Sequence, residues 1–157
     1  MTQASVITDE MRAAIGRESE PFAVEVDKTA IRMFARAVGH TDPVYYDEEY
    51  ARSKGHRSLP CPPAFLGTIV YQPGAAPRGY ARGFQTPFKR VLNGGTEVEY
   101  SDEDICAGDV LTGVTKIADI FERQGSTGPM LFVVSETTYR NQQGKVVAVL
   151  RGTGIQY

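Results

Sequence analysis

"PPAFLGTIVYQ", Pro62 to Gln72, is the stretch that decides the fold. The segment before it, "LPCPP", is unfit for regular helix, but Pro63 suits a first helical turn, where its missing N–H is no loss. From there "AFLGTIVYQ" carries apolar groups on nearly every side, so the spacing predicts a helix that is buried all round. The chain that follows, from Pro73 to Gly95, is rich in Gly, Pro and Arg. It predicts a long surface loop with room for a short strand in it, and "NGG" at 93–95 as the turn that enters the following strand.

Downstream the character changes. "TEVEYSD", "DVLTGVTKIADIFER", "GPMLFVVSETTYRN" and "KVVAVLRGTGIQY" are rich in Val, Ile, Thr and Tyr, the residues that fit a pleated surface. Gly108-Asp109, Gly125 to Gly128 and "NQQGK" are turn signals between them. Long strands joined by short turns favour an antiparallel meander. One buried apolar helix followed by an antiparallel sheet is an α+β plan, with the sheet wrapped around the helix to hide its surface. That describes a hot-dog fold, and its open sheet edge calls for a partner, so a dimer is expected.

Upstream, Thr8 caps a short helix through "DEMRAAI" that stops at Gly16. "PFAVEV", 21 to 26, alternates as a strand. Asp27 caps a helix from Lys28 to Val38, whose Ile31, Phe34, Ala35 and Val38 share one face. Gly39 ends it, and Asp47 caps a further helix, "EEYARSK".

The chain's 157 residues suit one domain, 1–157, with a sizeable core. A net charge of -2 supplies no field for nucleic acid or an anionic membrane. No apolar run is long enough to span a bilayer, and "MTQASVITDEMRAAIGRE" does not read as a secretory signal, so a cytoplasmic location is expected. Cys61 and Cys106 form no CxxC pair and are expected as reduced thiols. No His, Cys and carboxylate positions have ligand spacing in the sequence, so neither metal nor other cofactor is expected.

"FARAVGHTDPVYYDEEYA", Phe34 to Ala51, has the outline of an active-site loop: a helix, a Gly stop, an Asp-Pro turn, two tyrosines and a second helix start. Together with "TDEMRAAIGRE", "PPAFL", "LNGGTEVEY" and "FVVSETTYRNQQGKVVAV", in that spacing, it gives the chain a family resemblance. It resembles the N-terminal, FAS1-like dehydratase domain of the MaoC family over nearly its whole length. Active members hydrate enoyl thioesters or dehydrate (3R)-hydroxyacyl thioesters, using the Asp and His of a Gly-Asp-x-Asn-Pro-(Leu/Ile)-His loop. On this sequence Gly39 and Pro43 match and Asp42 takes the Asn position. His40 falls where the catalytic Asp belongs, and Tyr45 where the catalytic His belongs.

That departure matters chemically. Adding water across an enoyl thioester needs a base and an acid that both work near neutral pH. Tyrosine, with an ordinary pKa near 10, is a poor base. His40 lacks its paired group. The resemblance also places Pro62 and Pro63 over the His-Gly pair that opens the central helix, where the Gly N–H receives the thioester oxygen. Proline has no N–H to donate.

The bland readings stand beside these. His40 is first a polar loop residue bonded to backbone, Asp42 a turn residue, Tyr45 and Tyr46 packing residues, and Asp47 an N-cap. Arg78, Arg82, Lys89 and Arg90 read as a solvated loop, with phosphates of coenzyme A or an acidic carrier protein as the functional alternative.

The resemblance implies a non-catalytic subunit of a two-subunit (R)-specific enoyl-thioester hydratase or 3-hydroxyacyl-thioester dehydratase, a lyase whose Asp and His sit on a MaoC-type hot-dog partner. In that reading Ala64, Phe65, Gly67, Thr68 and Tyr71 line an acyl tunnel, and Arg78, Arg82 and Arg90 meet the acyl-CoA or acyl-carrier-protein thioester. Two other readings stay open. One is a self-sufficient homodimeric hydratase using His40 with Asp42 or Tyr45. The other is a hot-dog protein that binds an acyl thioester without hydrating it. A thioesterase would need a carboxylate aimed at the thioester, which the sequence does not place.

Overall fold

The computed structural model describes residues 5–67, 84–126 and 128–157. Among these, three helices precede most of the sheet: α1 (Asp9–Ala14), α2 (Lys28–Ala37) and α3 (Glu48–Ser53). Each begins where a capping side chain takes up an orphan amide. Thr8 accepts from Met11 N, Asp27 from Ala30 N, and Asp47 from both Glu49 N and Tyr50 N. α2 stops where Gly39 turns left-handed, at φ +79°. Ile31 and Ala35 on α2 are fully buried as its apolar stripe predicts, but Val38 is 54% exposed. The helix has ended before it, and the chain is already turning away from the core.

The strands are β1 (Phe22–Glu25), β2 (Val91–Tyr100), β3 (Val110–Gly125), β4 (Gly128–Arg140) and β5 (Val146–Gln156). They form one antiparallel sheet in the order β1-β3-β4-β5-β2. The expected meander therefore holds for β3, β4 and β5 only. β2 pairs with β5, and residues 101–109 carry the chain back across two strands to β3. At a strand spacing of about 4.8 Å that is a crossing of roughly 14 Å, within reach of nine residues.

Two more expectations are corrected at β2. The strand starts at Val91, and "NGG" lies inside it as a β-bulge between Asn93 and Gly95. The glycines are there for close approach and bulge geometry. A Cβ on Gly94 would stand 2.9 Å from the Ile155 side chain, and Gly95 has φ +153°.

The core has two parts. Ile31, Ala51, Leu59, Phe65, Leu111 and Tyr139 belong to the larger, and Met11, Phe84, Ile120, Leu131 and Val133 to the smaller. The opposite face of the sheet mixes the stacked Phe121 and Phe132 with a charged group. There Lys116 and Arg151 both pair with Glu136, and Arg151 also reaches Glu99. Helices on one face of an antiparallel sheet make this an α+β, hot-dog fold.

The helix expected from Pro63 starts differently. Pro63 and Ala64 form a turn, Ala64 is left-handed at φ +65°, and a 3-10 turn spans Phe65–Gly67. Pro63 holds the residue before it out of helical conformation, so regular geometry cannot begin at the paired prolines. Phe65 and Leu66 are buried in the larger core. The remainder of the expected helix, 68–72, lies outside the described residues. Among those described, no helix is long and apolar enough to cross a membrane.

Candidate catalytic loop and substrate site

The loop between α2 and α3 is built almost entirely from its own backbone. His40 N donates to Ala35 O at 2.8 Å, closing the end of α2. Asp42 accepts from Val44 N at 2.9 Å and so caps a 3-10 turn at Pro43–Tyr45. Tyr46 and Asp47 both donate their amides to Pro43 O at 2.9 Å. The Tyr46 hydroxyl donates to His40 O, and Arg32 Nε to Tyr46 O at 3.1 Å, which tie the loop back to α2. The carboxylates of Asp42 and Asp47 are thus both engaged with backbone amides, as their turn and cap readings require.

His40 and Tyr45 come together, with ring centroids 5.2 Å apart and planes tilted by 41°. Among the described residues the His40 imidazole has no hydrogen-bonded carboxylate to orient it or to stabilise its charged form. Tyr45 packs against the larger core. Burial first, then the charges of Asp42 and Cys61, push its hydroxyl above the ordinary tyrosine value. The shift is away from base chemistry, because a raised pKa keeps the phenol protonated throughout the neutral range.

The entry to the central segment is the second part of the site. Cys61 N donates to Ile105 O at 2.7 Å, and Phe65 N to Pro62 O at 3.1 Å. Pro62 is fully buried and Pro63 exposed, and neither has an N–H. Phe65 packs edge-on against Phe34 at 5.7 Å, which locks this entry to α2.

Tyr100, at the end of β2, escaped the sequence reading. Burial pushes its hydroxyl well up, while the backbone amides of Leu66 and Ala64 act on it in the opposite direction. An aromatic closing the strand after the Gly-rich loop is the only signal the sequence holds for it. Burial pushes the Cys61 thiol up to about 12, with Cys106 adding to it, so Cys61 is no thiolate nucleophile at neutral pH.

Of the expected substrate contacts, Phe65 is a core residue, while Ala64 and Gly67 are exposed. Arg90 exchanges backbone hydrogen bonds with Tyr157, extending the β2–β5 pair, and its guanidinium lies 5.9 Å from the centre of the Tyr157 ring. Thr68, Tyr71, Arg78 and Arg82 lie outside the described residues.

The family model for the FAS1-like, dehydratase domain region matches residues 13–150. The chain belongs to that family. Among its relatives, a UPF0336 protein of Streptomyces griseus subsp. griseus is 36% identical over 114 residues, covering 71% of this chain and 74% of that one. A probable enoyl-CoA hydratase alpha subunit of Thermomonospora curvata is 30% identical over 137 residues, covering 80% of this chain and 43% of that longer protein. Among solved structures, the C-terminally truncated HadBC (3R)-hydroxyacyl-ACP dehydratase complex of Mycobacterium tuberculosis contains a chain similar to this one. It has a TM-score of 0.70 and 22% identity, covering 90% of this chain and 96% of that one. A chain of the ChsH1–ChsH2 complex from the same organism gives a TM-score of 0.71 at 20% identity, covering 94% and 86%. At these identities the structural likeness is one of fold. MaoC-like dehydratases share it, as the Rhodospirillum rubrum protein does with a TM-score of 0.62.

Proposed function

We propose that this chain is the non-catalytic, substrate-shaping subunit of a two-subunit (R)-specific enoyl-thioester hydratase or 3-hydroxyacyl-thioester dehydratase. The observation that carries this reading is the loop at 39–47. Its backbone geometry is fully supported, while the pair at its two acid/base positions is a histidine without a carboxylate partner and a tyrosine held protonated. The partner supplies the Asp and His, and this chain supplies shape. Orienting the reacting carbons from remote contacts is a productive use of binding energy.

The sheet edge supports a partner. β2 is ten residues long, pairs on one side only among the described residues, and exposes Val91 and Leu92. The other edge, β1, has only four residues. A long open edge with apolar side chains is what a sheet protein covers. A MaoC-type hot-dog subunit aligned along β2 would bring its catalytic loop to the shared interface. The naming of a related protein as an alpha subunit, and the two-component complexes among the fold neighbours, agree with such an arrangement.

The test is turnover of a medium-chain trans-2-enoyl-CoA by the chain alone and by the chain co-purified with a MaoC-type subunit that has an intact Gly-Asp-x-Asn-Pro-x-His loop. The chain alone is expected to be inactive, the pair active, and the pair unaffected by His40→Ala. Turnover by the chain alone that is lost in His40→Ala would overturn the proposal in favour of a self-sufficient hydratase.

A further inference from the structure

His56 meets Asp104 and Cys106, about fifty residues further along the chain, in space. His56 Nδ1 is 2.9 Å from Asp104 Oδ2, and Cys106 Sγ donates to the same oxygen at 3.2 Å. The imidazole nitrogen, the carboxylate oxygen and the sulfur all lie within 4.8 Å of one another. We propose that these three side chains bind a thiophilic divalent cation, zinc in kind, which fastens the end of α3 to the turn leading into β3.

The donor set fits that class of ion. A thiolate with an imidazole and a carboxylate selects zinc over magnesium or calcium, which take all-oxygen sites. In a tetrahedral zinc site, bonds of about 2.0 to 2.3 Å place ligand atoms roughly 3.3 to 3.8 Å apart. The present spacings need only a small adjustment, and the groups that must move are free to do so. The side chains of His56 and Asp104 are 31% and 43% exposed, while Cys106 is fully buried. A cation therefore has an open approach from the His56 and Asp104 side, and a fourth position remains there for water.

The turn is already held in place. Asp109 accepts from Cys106 N at 2.9 Å and is clamped by Arg57 at 2.8 and 3.1 Å. Arg57 also donates to the Asp104 carbonyl at 3.1 Å, and Ala107 N to Leu59 O at 2.9 Å. Such outer contacts are what orient metal ligands. Burial is the largest influence on the Cys106 thiol and pushes it up. The Ser58 backbone comes next and acts toward thiolate, and the Asp104 carboxylate adds to the rise.

The charges balance once a cation is present. The ion takes the place of the shared protons around Asp104 Oδ2. The thiol proton leaves to solvent, and a neutral imidazole binds through Nδ1 with its proton on Nε2. Asp104 and the Cys106 thiolate then supply two negative charges against the ion's two positive ones. The nearby Arg57 charge is already answered by Asp109.

The experiment uses the whole chain, stripped with a chelator and titrated with cobalt(II) and zinc(II) under reducing conditions. One equivalent of cobalt is expected to give a thiolate-to-metal charge-transfer band. The band should be lost in Cys106→Ser and kept in Cys61→Ser. Zinc at a hundredfold excess over its dissociation constant is expected to raise Tm by roughly 5–10 °C. His56→Asn, a change at a partly exposed position, should remove most of that rise while leaving a folded protein. No band and no zinc-dependent shift in the unaltered chain would overturn the proposal. So would a band that follows Cys61, or a shift of equal size in His56→Asn.

Discussion

Replacing Arg57 by alanine should destabilise the chain more than replacing its partner Asp109 by asparagine, and the difference should shrink in acid. Arg57 donates to both carboxylate oxygens of Asp109, at 3.1 and 2.8 Å, and Cys106 N adds a third bond at 2.9 Å. The two ends of this pair sit in different surroundings, with side-chain exposures of 60% for Arg57 and 7% for Asp109. Removing the arginine leaves a buried carboxylate with the Cys106 amide and Gln142 as its remaining partners. Removal of one partner of a fully buried pair costs about 3–5 kcal/mol, and the exposure of Arg57 argues for the low end, near 3 kcal/mol. Asp109→Asn removes the buried charge, keeps an acceptor for Cys106 N, and leaves an arginine that water can solvate, so about 1–2 kcal/mol is expected. Burial opposes ionisation of Asp109, yet Arg57, the Cys106 amide and Gln142 together hold its pKa below the ordinary value. A lowered folded-state pKa gives stability that is present above the unfolded value, about 3.9, and is lost as pH falls through the folded value. In Arg57→Ala the burial penalty, the largest influence, is opposed only by the Cys106 amide and Gln142, so the sign reverses and the carboxyl protonates more readily than in the unfolded chain. The gap between the two proteins should then narrow as pH drops from about 6 toward 4. Urea unfolding at fixed protein concentration, with chelator present, reads this directly. Equal costs for the two variants, or a gap that does not change with pH, would refute the reasoning.

Further outcomes follow from the same geometry. Gly113→Ala places a Cβ 2.4 Å from the Phe22 ring, which itself packs edge-on against Tyr139, so a loss of about 2–3 kcal/mol in urea unfolding is expected. Leu92→Lys, a change on the exposed β2 edge, should leave the fold intact by circular dichroism and weaken association with itself or a MaoC-type subunit in light scattering. Asp47→Ala removes a cap that serves two amides of α3 and should cost about 1 kcal/mol in the same unfolding assay. In a co-purified pair, His40→Asp with Tyr45→His should not open a second active site, because Pro63 has no N–H to offer. Adding Pro63→Gly should begin to, and full activity from the double change alone would refute the proline argument.

What could be read from the sequence was local or periodic. Thr8, Asp27 and Asp47 declared the helix starts, because a cap is a contact between residues two or three apart. Ile31 and Ala35 declared the face of α2 by spacing. The pairing of β2 with β5 left no such mark, since nothing in residues 101–109 records which side of the sheet the chain will cross to. "NGG" misled because glycine and asparagine signal turns and bulges alike. Only the Ile155 side chain, sixty-one residues on, shows that Gly94 is a site of close approach. The Arg57–Asp109 clamp and the His56, Asp104 and Cys106 group were illegible for the same reason. Each joins a residue at 56 or 57 to residues about fifty positions on, and contacts of that separation come from topology.

The loop at 39–47 and the entry at 62–66 hold their backbones by different means. In the loop the capping residues Asp42 and Asp47, the left-handed Gly39 and the Tyr46 bond to His40 O hold the backbone, and none of these uses the side chains at positions 40 and 45. The loop's backbone hydrogen bonds therefore do not depend on which side chains stand there. At the entry, proline removes a donor, and the backbone amides of Ala64 and Leu66 favour the charged form of the Tyr100 hydroxyl, against the larger effect of burial. An amide left facing an empty apolar site would be expensive, by about 1–3 kcal/mol. The Tyr100 hydroxyl can offset that cost, and it sits on β2, the strand whose far edge is open to a partner. A Tyr100→Phe change separates the two roles. If the hydroxyl only satisfies those amides, the variant loses about 1–2 kcal/mol of stability while a co-purified pair keeps its kcat/KM. A fall in kcat/KM without a fall in stability would instead place the Tyr100 hydroxyl against the substrate, and the self-satisfied entry would be the wrong account of it.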